Sequence, residues 1–353
     1  MRRPDLPWIA WAWLAMAGGA AQAEGIWLSR DEIRSLPMSG EAWTLVKTAA
    51  DTPIGRPALW DISDTSDVLT LAKALVYVRT GEARYREDVI ANCLAAIGTE
   101  TGGVSLGLAR NLASYVIAAD LVGLEGTAEV QFRAWLRKAL TENLGGRTLQ
   151  STHEDRPNNW GTMAGASRAA VAAYLGDQAE LARTAEVFKG WLGDRTSYAG
   201  FKYGELSWQA DPSKPVGINP KGAIKNGINI DGALPEEMRR GGPFQWPPVE
   251  TGYTWEALQG AVVQAELLHR QGYPAYQWQE RAIRRSVEFL DRIGWSPTGD
   301  DQWIVWVINQ RYGTKLPTNS KSRPGKIMGW TSWTHGATQP AERHRHVPLA
   351  PSG

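Results

Sequence analysis

Residues 66–80, SDVLTLAKALVYVRT, decide the fold, because their apolar residues recur at the spacing of an amphipathic helix. Gly81 follows as a helix-terminating residue, and residues 82–98, EARYREDVIANCLAAIG, predict a second helix. The same layout returns around Gly176 and Gly272, with a further pair at 110–121 and 127–144. Helix pairs that recur about every 40–50 residues are typical of arrays whose units cannot bury their apolar faces alone.

We therefore predict an all-α fold, in which helical hairpins form either an open solenoid or an incomplete (α/α) toroid. The segment 194–252 interrupts the array and is rich in Gly, Pro, Trp, Tyr and Lys. Long irregular segments in compact domains usually carry function, so we favour the toroid with this segment lying over its cleft. The toroid domain is predicted to span 24–342, and 343–353 to form a flexible tail.

The first 23 residues have the pattern of a secretory signal peptide. Arg2 and Arg3 precede an apolar stretch at 8–17, and Ala21-Gln22-Ala23 forms a cleavage site. This stretch is too short for a membrane span, and no later segment offers about 18 uncharged apolar residues. We expect an exported protein, periplasmic or secreted, with no stable membrane insertion.

Composition excludes several classes of protein. The 353 residues are 43% hydrophobic and 21% charged, which excludes a disordered or fibrous chain. A single cysteine excludes a disulfide scaffold, and no His, Asp or Glu cluster has metal-ligand spacing, so we expect no metal or cofactor.

Charge and aromatic content indicate the kind of partner. Without residues 1–23 the basic and acidic residues are equal in number, which gives no support for nucleic acid binding. The 18 tryptophans, against 5 phenylalanines, suit stacking on sugar rings as well as core packing. We expect a monomer, and an anionic ligand would need a local basic patch.

Residues 153–161, HEDRPNNWG, form the first candidate site. Asp155 or Asn158 can cap a helix that begins near Asn159, and such an N-terminus suits a carboxylate. His153 is predicted to lie in the loop before this helix. The two asparagines could equally serve only as caps and turn formers.

Residues 231–241, DGALPEEMRRG, form the second candidate site together with Tyr253. Arg239 and Arg240 lie beside two glycines and could bind an acidic group bidentately. Tyr253 opens a predicted helix, so its hydroxyl could project into a cleft. A surface arginine pair and a core tyrosine would give the same pattern.

In this order, Asn158-Asn159, LPEEMRRG (234–241) and Tyr253 resemble the motifs of the alginate-lyase superfamily, polysaccharide lyases with an incomplete (α/α) toroid. Mannuronate lyases of family five have Asn-Asn-His, Leu-Pro-x-Glu-Leu-x-Arg-Gly and Tyr. Here Trp160 replaces the histidine, and the gap from Arg240 to Tyr253 is longer. The Asn-Asn-Trp-Gly start and the stretch IMGWTSWTHG (327–336) are more similar to family thirty-eight, which acts on glucuronan-like or mannuronan-like chains.

The resemblance implies cleavage of a 1,4-linked polyuronate by β-elimination, in which a base removes the C5 proton and the bond from C4 to the bridging oxygen breaks. It implies that Asn159 and Arg240 neutralise the substrate carboxylate and that Tyr253 transfers the proton, with His153 as the alternative base. The residues expected to bind the rest of the chain are Asn158, Trp160, Arg156, Arg239, Lys202, Trp208, Trp246 and Trp255.

Two other classes of protein remain open from the sequence. An inverting glycoside hydrolase needs two carboxylates roughly 6.5–9.5 Å apart, for which Asp231 with Glu236 or Glu237 are candidates, as is Asp61 or Asp64. The other class is a non-catalytic periplasmic polysaccharide-binding protein. Only a lyase makes a conjugated, ultraviolet-absorbing C4=C5 double bond.

Overall fold

A computed structural model describes residues 25–321 and 324–336. The predicted signal peptide, 1–23, and the predicted tail, 343–353, lie outside the described residues, and so does the very start of the predicted toroid domain. No helix within the described ranges is both long enough and apolar enough to cross a membrane.

The described residues are predominantly α-helical, which confirms the predicted all-α class. The helices are α1 Arg30–Ser35, α2 Glu41–Asp51, α3 Ser66–Thr80, α4 Ala83–Ala96, α5 Ser105–Val122, α6 Gly126–Ala139, α7 Leu149–Asp155, α8 Asn159–Leu175, α9 Gln178–Leu192, α10 Pro235–Met238, α11 Tyr253–Arg270, α12 Trp278–Arg292, α13 Trp303–Tyr312 and α14 Thr331–Thr334. Two short strands, β1 Ile224–Lys225 and β2 Ile228–Asn229, form an antiparallel hairpin in which Ile224 pairs with Asn229.

The predicted glycine boundaries correspond to real helix ends. Gly81 ends α3 with φ 77° and Gly176 ends α8 with φ 68°, both in the left-handed region where a side chain is strained. The chain reverses at each of them and enters the second helix of a hairpin, α4 or α9.

Four long helices form an inner row in the order α3, α5, α8 and α11, each packed on the next. α5 is buried along almost its whole length, whereas the outer helix α6 buries only one face. Such a difference is expected when one layer of helices covers another. Closure of this row into an incomplete toroid stays a prediction.

Close backbone contact fixes α8 against α11. A Cβ on Gly260 would lie 2.3 Å from the carbonyl carbon of Thr162, and one on Gly165 would lie 2.0 Å from Gln264 Oε1. Because the two contacts advance together along both helices, α8 and α11 run in the same direction. Their N-termini, Asn159 and Tyr253, therefore lie at the same end of the row.

The irregular segment 194–252 folds back onto this end. It contains the β1–β2 hairpin, and its buried side chains Ile218, Ile230, Leu234 and Met238 join the core. Within the segment, α10 packs against α11 and continues into a 3-10 turn, Arg239–Gly241. This packing carries Glu237 and Arg240 to the N-terminal ends of α8 and α11.

Candidate active site

Glu256 connects the N-termini of α8 and α11. It lies one turn after Tyr253, and its Oε2 accepts hydrogen bonds from Asn159 Nδ2 at 2.8 Å and from Arg110 Nη2 at 3.0 Å. Its Oε1 accepts from Lys326 Nζ at 2.7 Å. These four residues, Arg110, Asn159, Glu256 and Lys326, are called the Glu256 cluster below.

The charge of Glu256 is stabilised by this cluster. Burial works to raise the pKa of Glu256, but the hydrogen bond and charge of Lys326, the charge of Arg110 and the Asn159 amide bring the pKa below its ordinary value. Glu256 is therefore an anion at neutral pH, and it fixes Asn159 by one of the two hydrogens on Nδ2.

Glu237 provides the N-terminal cap of α8. Its Oε1 accepts a hydrogen bond from the Asn159 backbone N–H at 2.5 Å, while neither Asp155 nor Asn158 caps the helix with its side chain, contrary to the sequence prediction. Burial raises the pKa of Glu237 to about 8, so most molecules carry a neutral carboxyl there at pH 7. Glu237 Oε2 and Asn159 Oδ1 are buried without a hydrogen-bond partner among the described residues.

Arg240 and Tyr253 form the solvent-exposed part of this site. The Arg240 guanidinium lies 3.9 Å from the centroid of the Tyr253 ring, in a cation–π contact. Tyr253 is 38% exposed. Within the described ranges Arg240 has no ion-pair partner and the Tyr253 hydroxyl has no hydrogen-bond partner, so both groups are free to meet a ligand.

Arg156 adds a second cation of the same kind. It ends α7 and its guanidinium lies 4.8 Å from the ring centroid of Trp160, in the first turn of α8. No carboxylate pairs with it in the described part of the chain. Burial and the nearby charge of Arg147 lower the pKa of Arg156, and the charges of Asp155 and Glu236 oppose this shift only in part.

The prediction that His153 lies in the loop before α8 is wrong. His153 belongs to α7, whose N-terminus is fixed by a capping box between Thr148 and Ser151. The ring is buried, with Nδ1 3.4 Å from Arg168 Nη1, and burial together with the charge of Arg168 lowers the pKa of His153 well below its ordinary value. A neutral imidazole enclosed by α7, α8 and α11 does not reach a proton presented near the exposed Tyr253 hydroxyl.

Two of the predicted sugar platforms are buried. The Trp208 ring packs on Phe244 and its Nε1 donates to the Gly242 carbonyl, whereas Trp255 donates to the Trp295 carbonyl. Each buried indole thus has a partner for its N–H, and neither presents a face to solvent. Trp246, in contrast, is 45% exposed.

Two of the other predicted binding residues have ion-pair partners. Arg239 is paired with Glu236, and Lys202 with Asp155 at 2.8 Å. Asn158 is buried with its Oδ1 unpartnered among the described residues. Among the predicted site residues within the described ranges, Arg156 and Arg240 are the two whose charge has no ion-pair partner.

The carboxylates proposed for a hydrolase are used in structural contacts. Asp231 pairs with Arg285, and Asp64 accepts hydrogen bonds from the backbone N–H groups of Ala58 and Ser66. Glu236 and Glu237 are both buried in the short helix α10. Asp61 accepts a hydrogen bond from the backbone N–H of Ser63 through Oδ1 at 2.8 Å. The pairing, backbone contacts and burial of these carboxylates do not favour hydrolysis.

Three residues of the Glu256 cluster were not predicted from the sequence. Glu256 could have been found, since it shares a helix face with Tyr253 at i,i+3 spacing. Arg110 and Lys326 lie far away in the chain, and no local pattern marks them. Groups of three or more His, Cys, Asp or Glu side chains arranged to hold a metal ion are absent from the described residues.

A cavity of about 660 Å³ lies at the opposite end of the inner helices. It is lined by Gly123 and Gly176, the residues that end α5 and α8, and not by any residue of the Glu256 cluster. The exposed Arg240–Tyr253 pair and the unpaired Arg156 therefore mark the candidate active site, on a different surface from this cavity.

Comparison with known proteins finds a family that matches a large part of the chain. A family model described as Alginate lyase matches residues 72–293, more than half of the chain, and this range includes Asn159, Arg240 and Tyr253. No curated protein matches the chain.

Proposed function

Since this chain belongs to the alginate lyase family and is a polysaccharide lyase, we propose that it cleaves a 1,4-linked polyuronate, mannuronan (alginate) or glucuronan, by β-elimination. The observation that carries the proposal is the exposed Arg240–Tyr253 pair. A cation without a protein partner and a hydroxyl without a hydrogen bond, within the described residues, lie side by side at a helix N-terminus.

Arg240 supplies the charge that the substrate carboxylate needs. When the C5 proton leaves, negative charge develops on the adjacent carboxylate, and a guanidinium can receive it through two parallel hydrogen bonds. Arg156 offers a second free guanidinium, on the chain segment that leads into α8. Their charges are not offset by Glu237, because burial keeps that carboxyl mostly neutral at pH 7.

Tyr253 is the proton-transfer residue of the proposal. Its phenolate oxygen takes the C5 proton, the electron pair of the C5–H bond forms the C4=C5 double bond, and the bond between C4 and the bridging oxygen breaks. The hydroxyl formed on Tyr253 then returns its proton to the leaving oxygen. When the proton goes to the leaving oxygen, negative charge returns to the phenol oxygen of Tyr253, and the Arg240 guanidinium lies against that ring.

Asn159 forms the floor of the site in this arrangement. Its side chain is buried and anchored on Glu256, which leaves the second Nδ2 hydrogen as the donor toward the substrate. The direct contact between Asn159 and the substrate carboxylate stays a prediction. Glu256 and Glu237 act as positioning residues, since one fixes the Asn159 side chain and the other its backbone N–H.

The test is a screen of the purified protein on mannuronan, guluronan, glucuronan and glycosaminoglycans, with ultraviolet absorbance and reducing ends measured in parallel. We expect equal amounts of unsaturated product and new reducing ends on mannuronan or glucuronan. Reducing ends without absorbance would identify a hydrolase and overturn the proposal. Binding without either product would identify a carbohydrate-binding protein.

We also propose that the protein is exported and acts as a monomer. The export part of this proposal rests on the signal-peptide pattern of residues 1–23. N-terminal sequencing of the protein from an expressing bacterium should begin at Glu24, and sedimentation should give the mass of one chain. An N-terminus that retains Arg2 and Arg3 in the exported fraction would contradict cleavage at this site.

A further inference from the structure

Trp60 is an exposed indole that no part of the proposed function uses. It lies in the segment between α2 and α3, outside the matched range 72–293, and is 56% exposed. Tryptophan is highly buried on average, so a ring that is more than half exposed needs an explanation. Two neighbours along this surface, Ile62 and Val104, are exposed as well.

The backbone beneath this ring is firmly held. Leu59 is fully buried, and the Trp60 N–H donates to the Thr99 carbonyl at 3.1 Å. A Cβ on Gly103 would lie 2.7 Å from Trp60 Cα, and one on Gly107 would lie 2.7 Å from the Leu59 carbonyl oxygen. The exposure of Trp60 is therefore a property of a fixed backbone that directs the ring outward.

The same segment is tied to the Glu256 cluster. Arg110 donates through Nη1 to the Ile62 carbonyl at 3.4 Å and through Nη2 to Glu256 Oε2 at 3.0 Å. The next residue, Asn111, donates to the Asp61 carbonyl at 2.9 Å. The Arg110 guanidinium thus joins the segment that contains Trp60 to Glu256. Trp60 is close to this link, because the two residues of chain from Ile62 to Trp60 span at most about 7 Å.

We propose that Trp60 is a stacking platform for a pyranose ring of the polyuronate, at a subsite next to the bond that is cleaved. An indole suits the C–H face of a sugar, because it offers a flat apolar surface that is already immobilised when the ligand arrives. The inference rests on the proposed function, since the ligand is the same uronate chain that Arg240 and Tyr253 act on.

The experiment compares Trp60→Ala and Trp60→Phe with the wild type on the polyuronate that gives unsaturated product. We expect Trp60→Ala to raise KM about tenfold, the effect of losing one well-placed aromatic contact, while kcat stays within about twofold. Trp60→Phe should restore most of the affinity, since it keeps a flat ring. The melting temperature should not change, because the ring is exposed.

Val130→Ala is the matched control, since Val130 is exposed on α6, away from the segment that contains Trp60. An unchanged KM for Trp60→Ala, with normal product formation by the wild type, would overturn the subsite and leave the proposed function standing. No product from the wild type on any polyuronate would instead refute the proposed function, and the subsite with it. A change of sedimentation coefficient in Trp60→Ala would show that the ring contacts a second copy, which also overturns the subsite.

Discussion

Replacing Tyr253 with phenylalanine removes one oxygen from the exposed end of α11 and leaves the ring in place. The lost hydroxyl has no hydrogen-bond partner within the described residues, and Arg240 stacks on the ring, which phenylalanine retains. Stability should therefore change by less than about 0.5 kcal/mol, as is usual for a surface substitution. The loss of a general acid–base group costs about 10²–10⁴ in rate, so kcat should fall by at least about a hundredfold.

Tyr115→Phe is the matched control for this experiment. The Tyr115 hydroxyl is buried and donates to Ser66 Oγ at 2.8 Å, so its removal should cost about 0.5–1.5 kcal/mol of stability. Tyr115 does not contact the Glu256 cluster, and the folded fraction should keep its activity. Removing the same hydroxyl group is therefore expected to affect activity in Tyr253→Phe and stability in Tyr115→Phe.

The assay combines the initial rate of ultraviolet absorbance on the preferred polyuronate with the melting temperature of each variant. Tyr253→Phe should lose the rate and keep the melting temperature, and Tyr115→Phe should show the reverse. A rate above about a tenth of wild type for Tyr253→Phe lies well outside the expected loss and would refute Tyr253 as the proton-transfer residue.

Three further predictions follow from the same contacts. Arg240→Ala should lower kcat/KM about 10–100-fold, and Arg240→Lys should recover only part of it, because an ammonium keeps the charge but not the planar fork. Full recovery of kcat/KM in Arg240→Lys would contradict stacking and bidentate binding. Glu256→Gln should lower the free energy of unfolding by about 3 kcal/mol, measured by chemical denaturation, because it leaves the buried Arg110 without its anion. It should also lower kcat/KM. The control Glu250→Gln, at an exposed position, should change neither quantity. The raised pKa of Glu237 means that the folded state holds a proton that the unfolded state releases near pH 4.5, so the free energy of unfolding should fall as the pH rises from 4.5 through 8. Glu237→Gln should lack this decline when its free energy of unfolding is measured across the same pH range. A decline identical to that of the wild type would contradict the assignment.

The helical hairpins could be predicted because their signals are local. The apolar spacing of Ser66–Thr80 and the glycine after it depend only on neighbouring residues, and both describe α3 as the structure has it. The helix starts at Asn159 and Tyr253 were likewise predictable. By contrast, α7 is only seven residues long and was taken for a loop, although Thr148 and Ser151 have the spacing of a capping box.

The exposure of individual tryptophans could not be predicted from the sequence. Trp208 and Trp255 are buried because backbone carbonyls of Gly242 and Trp295 accept their indole N–H groups, and a carbonyl carries no sequence signature. Trp60 lies on a backbone segment that packs closely on Gly103 and Gly107, where a side chain would leave no room for it. In both cases the contact that sets the exposure of the tryptophan involves a residue far away in the chain, and it is made by backbone atoms or by a glycine.

The charges at the site are consistent with the proposed polyanionic substrate, although residues 24–353 contain equal numbers of acidic and basic residues. Arg110 and Lys326 are offset by Glu256 and Asp300, and Arg239 by Glu236, so these charges cancel where they lie. Burial keeps Glu237 mostly protonated at pH 7, which removes the anion that would otherwise offset Arg240. Arg156 and Arg240 are left without an ion-pair partner among the described residues, and they lie against the rings of Trp160 and Tyr253. The local basic patch that an anionic ligand needs thus arises from which arginines are left unpaired, a property of the fold that no count of charged residues contains.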